Sequence, residues 1–315
     1  MKRFSQQLGY FLLPMAVLIF PLDYVISNGL KRSHEYNGEI EVWSDIYSGA
    51  AKCELAVYGS SRAWVHINSR IVADSLGYST YNFGLDGHNF NLQFMRHLEY
   101  VKHNGWPRNI VLSLDVHSLG GPDEFYQKEQ ILPFMLWNVN MFESSSSYIG
   151  YDWYEYFLPM ARYYSSKSCI ESGLGFGNRQ EESFRHLGYR GMDQDWAVTD
   201  STEVRRTFEA ELDTNTVNLY EVFLRNCKQH GTRVVMVYSP EYSLGQDAFV
   251  NRDKILETFS ILSIEHDVTF LNYSNHPICK EKDWFYNSSH MNSEGADYFS
   301  RILCEDLVGL MDRKH

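Results

Sequence analysis

The sequence predicts an α/β fold built on a parallel sheet, and two observations predict it. Short apolar runs rich in Val, Ile, Leu and Tyr alternate with segments of helical periodicity from residue 52 onward. Strands alternating with helices of this length mean a parallel sheet covered on both faces. Polar turns bearing glycine, serine or aspartate follow the first three runs, and open α/β sheets place their sites at that edge.

In chain order, Cys53 to Tyr58 (CELAVY) is the first strand, followed by Gly59-Ser60-Ser61. Ser61 to Leu76 carries apolar residues at helical spacing, Ser79 to Phe83 is a second strand, and Asn89 to His103 a second helix. Asn109 to Leu114 is the third strand. After a long interval, Thr207 to His230 reads as a helix, Arg233 to Tyr238 as the fourth strand and Asn251 to His266 as a helix. Val268 to Tyr273 is the fifth strand, and Ser293 to Met311 the closing helix. Residues 119–203 break this rhythm. They are rich in Tyr, Trp, Phe, Met, Ser and Gly and read as a helical insertion over the sheet's C-terminal edge, either packing its own small core or stacking aromatic rings on sugars.

Ahead of this domain, Leu8 to Leu22 has no charge, Asp23 interrupts, and Tyr24-Val25-Ile26 extends the apolar stretch. We expect a membrane anchor over residues 1–27 and a polar connector over 28–50, with Lys2 and Arg3 on the cytoplasmic side and the main domain periplasmic or extracellular. A cleaved signal peptide and a buried core helix are the alternatives, and no small-x-small cleavage site follows. The net charge of −12 argues against nucleic acid as a partner, because phosphates need Lys and Arg. Five cysteines form no CxxC pair, which argues against a zinc ribbon. Cys53 and Cys304 read as core residues, and Cys169 and Cys279 as open to a disulfide.

Four short stretches carry chemistry. Gly59-Ser60-Ser61-Arg62 puts a hydroxyl on a tight strand-to-helix turn, near the positive end of a helix dipole; its plainer reading is an N-cap. Tyr81-Asn82-Phe83-Gly84-Leu85-Asp86-Gly87 follows strand two, and Leu112-Ser113-Leu114-Asp115-Val116-His117 ends strand three. Phe285 to Ala296 (FYNSSHMNSEGA) precedes the last helix. Together they place a serine, two glycines, a polar strand end and a histidine on one edge of a parallel sheet.

In these blocks the chain resembles the SGNH/GDSL hydrolase superfamily, over most of residues 52–118 and 205–311. The Gly-Ser-Ser form is similar to that of membrane-anchored cell-envelope relatives such as D-alanyl transfer and O-acetyl-modifying proteins. The resemblance implies a flavodoxin-like three-layer sheet, a nucleophile at Ser61 and a base at His290. It implies an oxyanion donor at Gly87 and, by a looser match, at His117. The family's acid stands three residues before the histidine, where this chain has Asn287. Three readings stay open: a triad completed by Asn287, a substitute acid at Asp283, or a degenerate site. Arg62 and Asp115 are candidate substrate contacts, against the plainer reading of Arg62 as a salt-bridged residue. Ser239-Pro240-Glu241-Tyr242 is either pocket wall or turn. A metal at Asp115-x-His117 with His88 or Asp86 is the weaker alternative, and the set implies no metal and no cofactor. The expected activity is that of a serine esterase or O-acyltransferase on an ester-modified envelope or exported polysaccharide. The alternative is a glycan-binding or assembly factor that keeps the fold. The partners expected are a glycan or acyl-ester substrate, the membrane and a membrane protein.

Overall fold

The computed structural model describes residues 2–122, 124–176, 183–194, 196 and 207–311. The chain divides into two units, one of Met1–Asp45 with Asp123–Phe184, the other of Ile46–Pro122 with Arg185–His315.

The second unit is the α/β domain. Its strands are β1 (Leu55–Tyr58), β2 (Thr80–Asn82), β3 (Asn109–Leu114), β4 (Arg233–Tyr238) and β5 (Thr269–Asn272). They form one sheet in the order β2-β1-β3-β4-β5, and every pairing is parallel. This is the flavodoxin-like order, in which the chain reverses direction across the sheet between β1 and β3. β1, β2 and β3 are buried along their whole length; β1 (LAVY) and most of β3 (NIVLSL) are accordingly apolar without alternation, whereas β2 (TYN) buries Thr80 and Asn82 with their side chains hydrogen-bonded.

The segment that reads as one helix from Ser61 to Leu76 is two, α3 (Ser61–His66) and α4 (Ser69–Leu76). Asn68 ends the first and caps the second, its side chain accepting from Arg70 N and Ile71 N. These two helices and the closing helix α13 (Ser293–Val308) pack together. Phe299 and Leu303 join Leu55, Val57, Val111 and Val235 in one core. On the aromatic side, α5 (Phe90–Asn104) packs on α10 (Thr214–Gln229), which in turn packs on α12 (Arg252–His266). There Phe90 stacks on Tyr220 with ring centroids 3.6 Å apart, and Phe223 meets Phe90 edge-on. α10 starts seven residues later than the sequence reading, because Asp213 caps it by accepting from Thr216 N at 2.8 Å.

The first unit holds α1 (Lys2–Leu30) and the insertion helices α6 (Leu132–Met135), α7 (Val139–Ser145), α8 (Trp153–Phe157) and α9 (Lys167–Gly173). Of the insertion expected over 119–203, residues 123–184 fall in this unit, and 197–203 lie outside the described residues. Residues 185–190 belong to the α/β unit, where Leu187 O accepts from Asn82 N and Gly188 stands against the Asn82 carbonyl. The polar connector of the sequence reading contains a helix, α2 (Glu39–Ser48). Among the described residues no helix is long and apolar enough to cross a membrane.

Asp23, which breaks the apolar run in the sequence, has a structural use. Arg162 donates to both of its carboxylate oxygens at 2.8 Å, and Met160 N donates at 2.7 Å. Arg162 also donates to Leu132 O at 2.6 Å and to Ser27 Oγ at 2.9 Å, and both members of the ion pair are buried. Two helices cross closely beside it: a β-carbon on Gly29 would lie 1.8 Å from the Gly173 carbonyl oxygen. All five cysteines are buried free thiols, so no disulfide involves Cys169 or Cys279. Cys169 instead meets Tyr36 OH at 3.0 Å, and Cys279 Sγ donates to Tyr273 O.

Breaking the Arg162–Asp23 pair on one side leaves a buried uncompensated carboxylate. Arg162→Ala is expected to destabilise unit 1 by about 3–5 kcal/mol, whereas the double change Asp23→Leu with Arg162→Met costs far less. The urea midpoint at which residues 123–184 lose protection from protease measures both.

Candidate active site

The turn between β1 and α3 is shaped by Gly59. Its φ of +148° excludes side chains, and a β-carbon there would lie 2.7 Å from Ser113 O and 2.8 Å from Ala63 Cβ. Ser60 caps α3, and Ser61 is the helix's first residue, half-buried at the C-terminal edge of the sheet. Asn82 fastens β2 to this helix. Its amide donates to Ala63 O at 2.7 Å and Ile67 O at 2.9 Å, while its oxygen accepts from Gly84 N.

His290 comes from the other end of the chain, on a tight hairpin that pairs Phe285 with Met291. Asn287 holds the hairpin together. Its Oδ1 accepts from Ser289 N at 2.9 Å, from His290 N at 2.8 Å, and lies 3.1 Å from His290 Nδ1. Two backbone N–H groups can only donate, so the atom they meet is the amide oxygen. An oxygen accepts, so His290 Nδ1 carries the ring proton. Nε2 is therefore the unprotonated nitrogen, and it lies 2.8 Å from Ser61 Oγ. Ser61 donates and His290 accepts, the orientation a general base needs. Tyr286 stacks on the imidazole, with centroids 5.6 Å apart and rings 13° from parallel.

Beneath this pair lies a buried polar layer. Ser60 Oγ donates to Asp115 Oδ2, and His117 N donates to Asp115 Oδ1 at 2.7 Å. Arg62 donates to Glu241 Oε2 at 2.9 Å and to the Ser239 carbonyl, and its guanidinium lies 4.6 Å from the centre of the Tyr238 ring. Burial and then the Arg62 charge push the His290 pKa down to about 4, against an opposing pull from Asp115. A second imidazole, His66, closes α3. Its Nε2 accepts from Met291 N at 3.0 Å, so Nδ1 carries the proton and donates to Ser239 Oγ at 2.9 Å. Burial and Arg62 hold His66 neutral far below the usual histidine range. One short helix thus carries Ser61 at its first residue and, at its last, a side chain that fixes the residue next to His290.

The structure brings Ser61, His290 and Asn287 together in one hydrogen-bonded series. It does not use Asp283 as an acid: Nδ1 of the ring is on Asn287, while Asp283 is exposed and gives its backbone carbonyl to Asn292 Nδ2. Nor are Arg62 and Asp115 placed for substrate. Both are buried and engaged with protein, which favours the salt-bridged reading of Arg62. Gly87 lies exposed in the turn after β2 with a φ of +70°, and burial, then the charge of its neighbour Asp86, raises the Tyr286 pKa. The His117 ring is exposed and meets Phe249 edge-on at 5.1 Å; its backbone, not its ring, reaches Asp115. His66 and Tyr286 were missed. The one signal for His66 was a histidine among Ala63, Trp64, Val65 and Ile67, where an unpaired polar group is costly.

No protein-family model matches the chain, and no curated protein matches it. Among solved structures it is similar to a candidate acylhydrolase of Bacteroides fragilis, at 9% identity over 84% of this chain and 95% of that one, with a TM-score of 0.40. It is similar to a candidate platelet activating factor of Streptococcus pneumonia, at 12% identity over 93% of this chain and 99% of that one, TM-score 0.43. A GDSL-like lipase of Bacteroides thetaiotaomicron matches at 10% identity over 87% of this chain and 100% of that one, TM-score 0.40.

Two predictions follow from this geometry. Asn287→Asp keeps an acceptor for all three N–H groups and adds a charge that favours the imidazolium. The His290 pKa should rise from about 4, so the acid limb of the pH–rate profile on an activated ester moves toward neutral pH. Turnover should rise, with about 10⁴-fold as the outer bound set by the reverse change in a serine protease. Second, His66→Leu orphans the Met291 N–H, at a cost of about 1–3 kcal/mol. It should lower kcat with little change in KM, as steady-state kinetics on the same ester would read.

Proposed function

We propose that this chain is a serine esterase or O-acyltransferase that passes an acyl group through an ester on Ser61, with an ester-modified cell-envelope or exported polysaccharide as its substrate. The observation that carries the reading is the 2.8 Å contact of Ser61 Oγ with His290 Nε2, in a ring whose tautomer is set from behind by Asn287. His290 takes the Ser61 proton as Oγ attacks the ester carbonyl. The backbone N–H groups of Ser61 and Gly87 receive the oxyanion, with His117 as an additional donor. The tetrahedral intermediate expels the alcohol, which takes the proton back from His290. Water then releases the acid, or a sugar hydroxyl takes the acyl group. In this reading α1 anchors the protein in the cytoplasmic membrane and the α/β unit works outside it. The exposed apolar residues Leu13, Val17, Leu18 and Phe20 on that helix support the anchor.

A second reading is a glycan-binding or assembly factor that keeps the fold without turnover. It draws on Asn287, which brings no charge to stabilise the imidazolium, and on burial and the Arg62 charge, which disfavour it.

A fluorophosphonate probe separates the two. The esterase reading expects labelling that vanishes in Ser61→Ala and persists, more slowly, in Ser60→Ala. An unlabelled wild-type protein that still retains polysaccharide supports the binding factor.

A further inference from the structure

Unit 1 carries several exposed apolar and aromatic residues near one level of α1. The helix is buried at Asp23, Ile26, Ser27 and Leu30. One turn earlier it is open, with Val17 61%, Leu18 67%, Phe20 51% and Leu22 44% exposed. It therefore leaves the body of unit 1 near residue 22. At that level the Phe20 ring meets Trp137, with centroids 6.0 Å apart. Trp137 is 58% exposed and sits at a φ of +59°. Its backbone N–H donates to Tyr156 O at 2.8 Å and its indole N–H to Phe157 O at 3.0 Å, so the ring is held in place although more than half of it faces solvent. The segment that Trp137 bonds to also exposes Leu158 and Trp153, the latter 65% exposed and edge-on to Tyr154.

We infer that this surface is seated in the headgroup layer of a lipid bilayer, as the aromatic belt at the point where α1 enters the hydrocarbon. The inference rests on the anchor reading of α1. Trp and Tyr gather at membrane–water boundaries because each ring has an apolar body and a polar edge. The distances agree. Phe4 to Leu22 spans roughly 27 Å at 1.5 Å per residue, close to the roughly 30 Å of a bilayer's hydrocarbon core. Residues at the level of Phe20 then fall at the headgroups. The buried Arg162–Asp23 pair lies just beyond that level and fixes the helix to the belt. Sugar stacking, the other use open to exposed aromatic rings, needs polar groups beside them to meet hydroxyls. Beside Trp137 the neighbours are Phe20, Val139 and Leu158, all more than half exposed, and the polar groups near Trp153, Asp152 and Glu155, are engaged in the capping box of its helix.

Tryptophan emission from the full-length chain, reconstituted in phosphatidylcholine–phosphatidylglycerol vesicles, tests this. With a phosphatidylcholine brominated near the glycerol end of its acyl chains, emission should fall, and much of that loss should vanish in Trp137→Phe/Trp153→Phe. Equal quenching in the two proteins overturns the belt. So does an unquenched protein that nonetheless floats with the vesicles, which leaves the anchor standing. A protein that stays in the aqueous fraction overturns belt and anchor together. Emission that polysaccharide shifts in the wild type but not in the double variant, without quenching by lipid, assigns the rings to glycan instead.

Discussion

The site of the α/β unit depends on one oxygen atom. Asn287 Oδ1 receives two backbone N–H groups and the ring N–H of His290, and this single acceptor closes the hairpin, orients the imidazole and selects its tautomer. A carboxylate in the same place would do these three things and also stabilise the imidazolium. The amide does the first three alone. Geometry and charge, which usually arrive together in a serine hydrolase, are separated here.

The surrounding layer deepens that separation. Asp115 and Arg62 flank the serine turn from beneath, and each is tied down by protein: Asp115 by Ser60 and His117 N, Arg62 by Glu241 and the Ser239 carbonyl. Their fields reach His290 with opposite sign, and burial adds to Arg62, so the ring stays neutral over a wide range of pH. His66 contributes by shape. It is locked neutral between Ser239 and Met291, and it ties the helix of Ser61 to the hairpin of His290 across 225 residues of sequence.

The sheet was legible because burial on both faces leaves a plain mark: Leu55 to Tyr58 and most of Asn109 to Leu114 are apolar without alternation. The Ser61–His290 pairing was legible from block order, since a turn after the first strand and a turn before the last helix meet at one sheet edge. What sequence does not encode locally is which way a strand-end residue faces. Asp115 and Arg62 looked available for substrate and are buried, because their partners Ser60 and Glu241 were invisible as partners until the sheet brought them close. The limits of the insertion were misread for a related reason. Composition changes gradually from residue 184 to 190, and the return to the α/β unit shows only in contacts such as Asn82 N to Leu187 O and Gly188 against the Asn82 carbonyl.

The Arg162–Asp23 pair has a consequence for the order in which the molecule is made. The two residues are 139 positions apart, and unit 1 draws on both ends of that interval. Synthesis at about 5–20 residues per second delivers Asp23 some 7–28 s before Arg162, on the order of that rate. During that delay the aspartate has no guanidinium to meet, while β1, β2 and β3, together with α3 and α5, have already emerged. The nascent chain must therefore keep Asp23 without its guanidinium partner until the insertion has been translated.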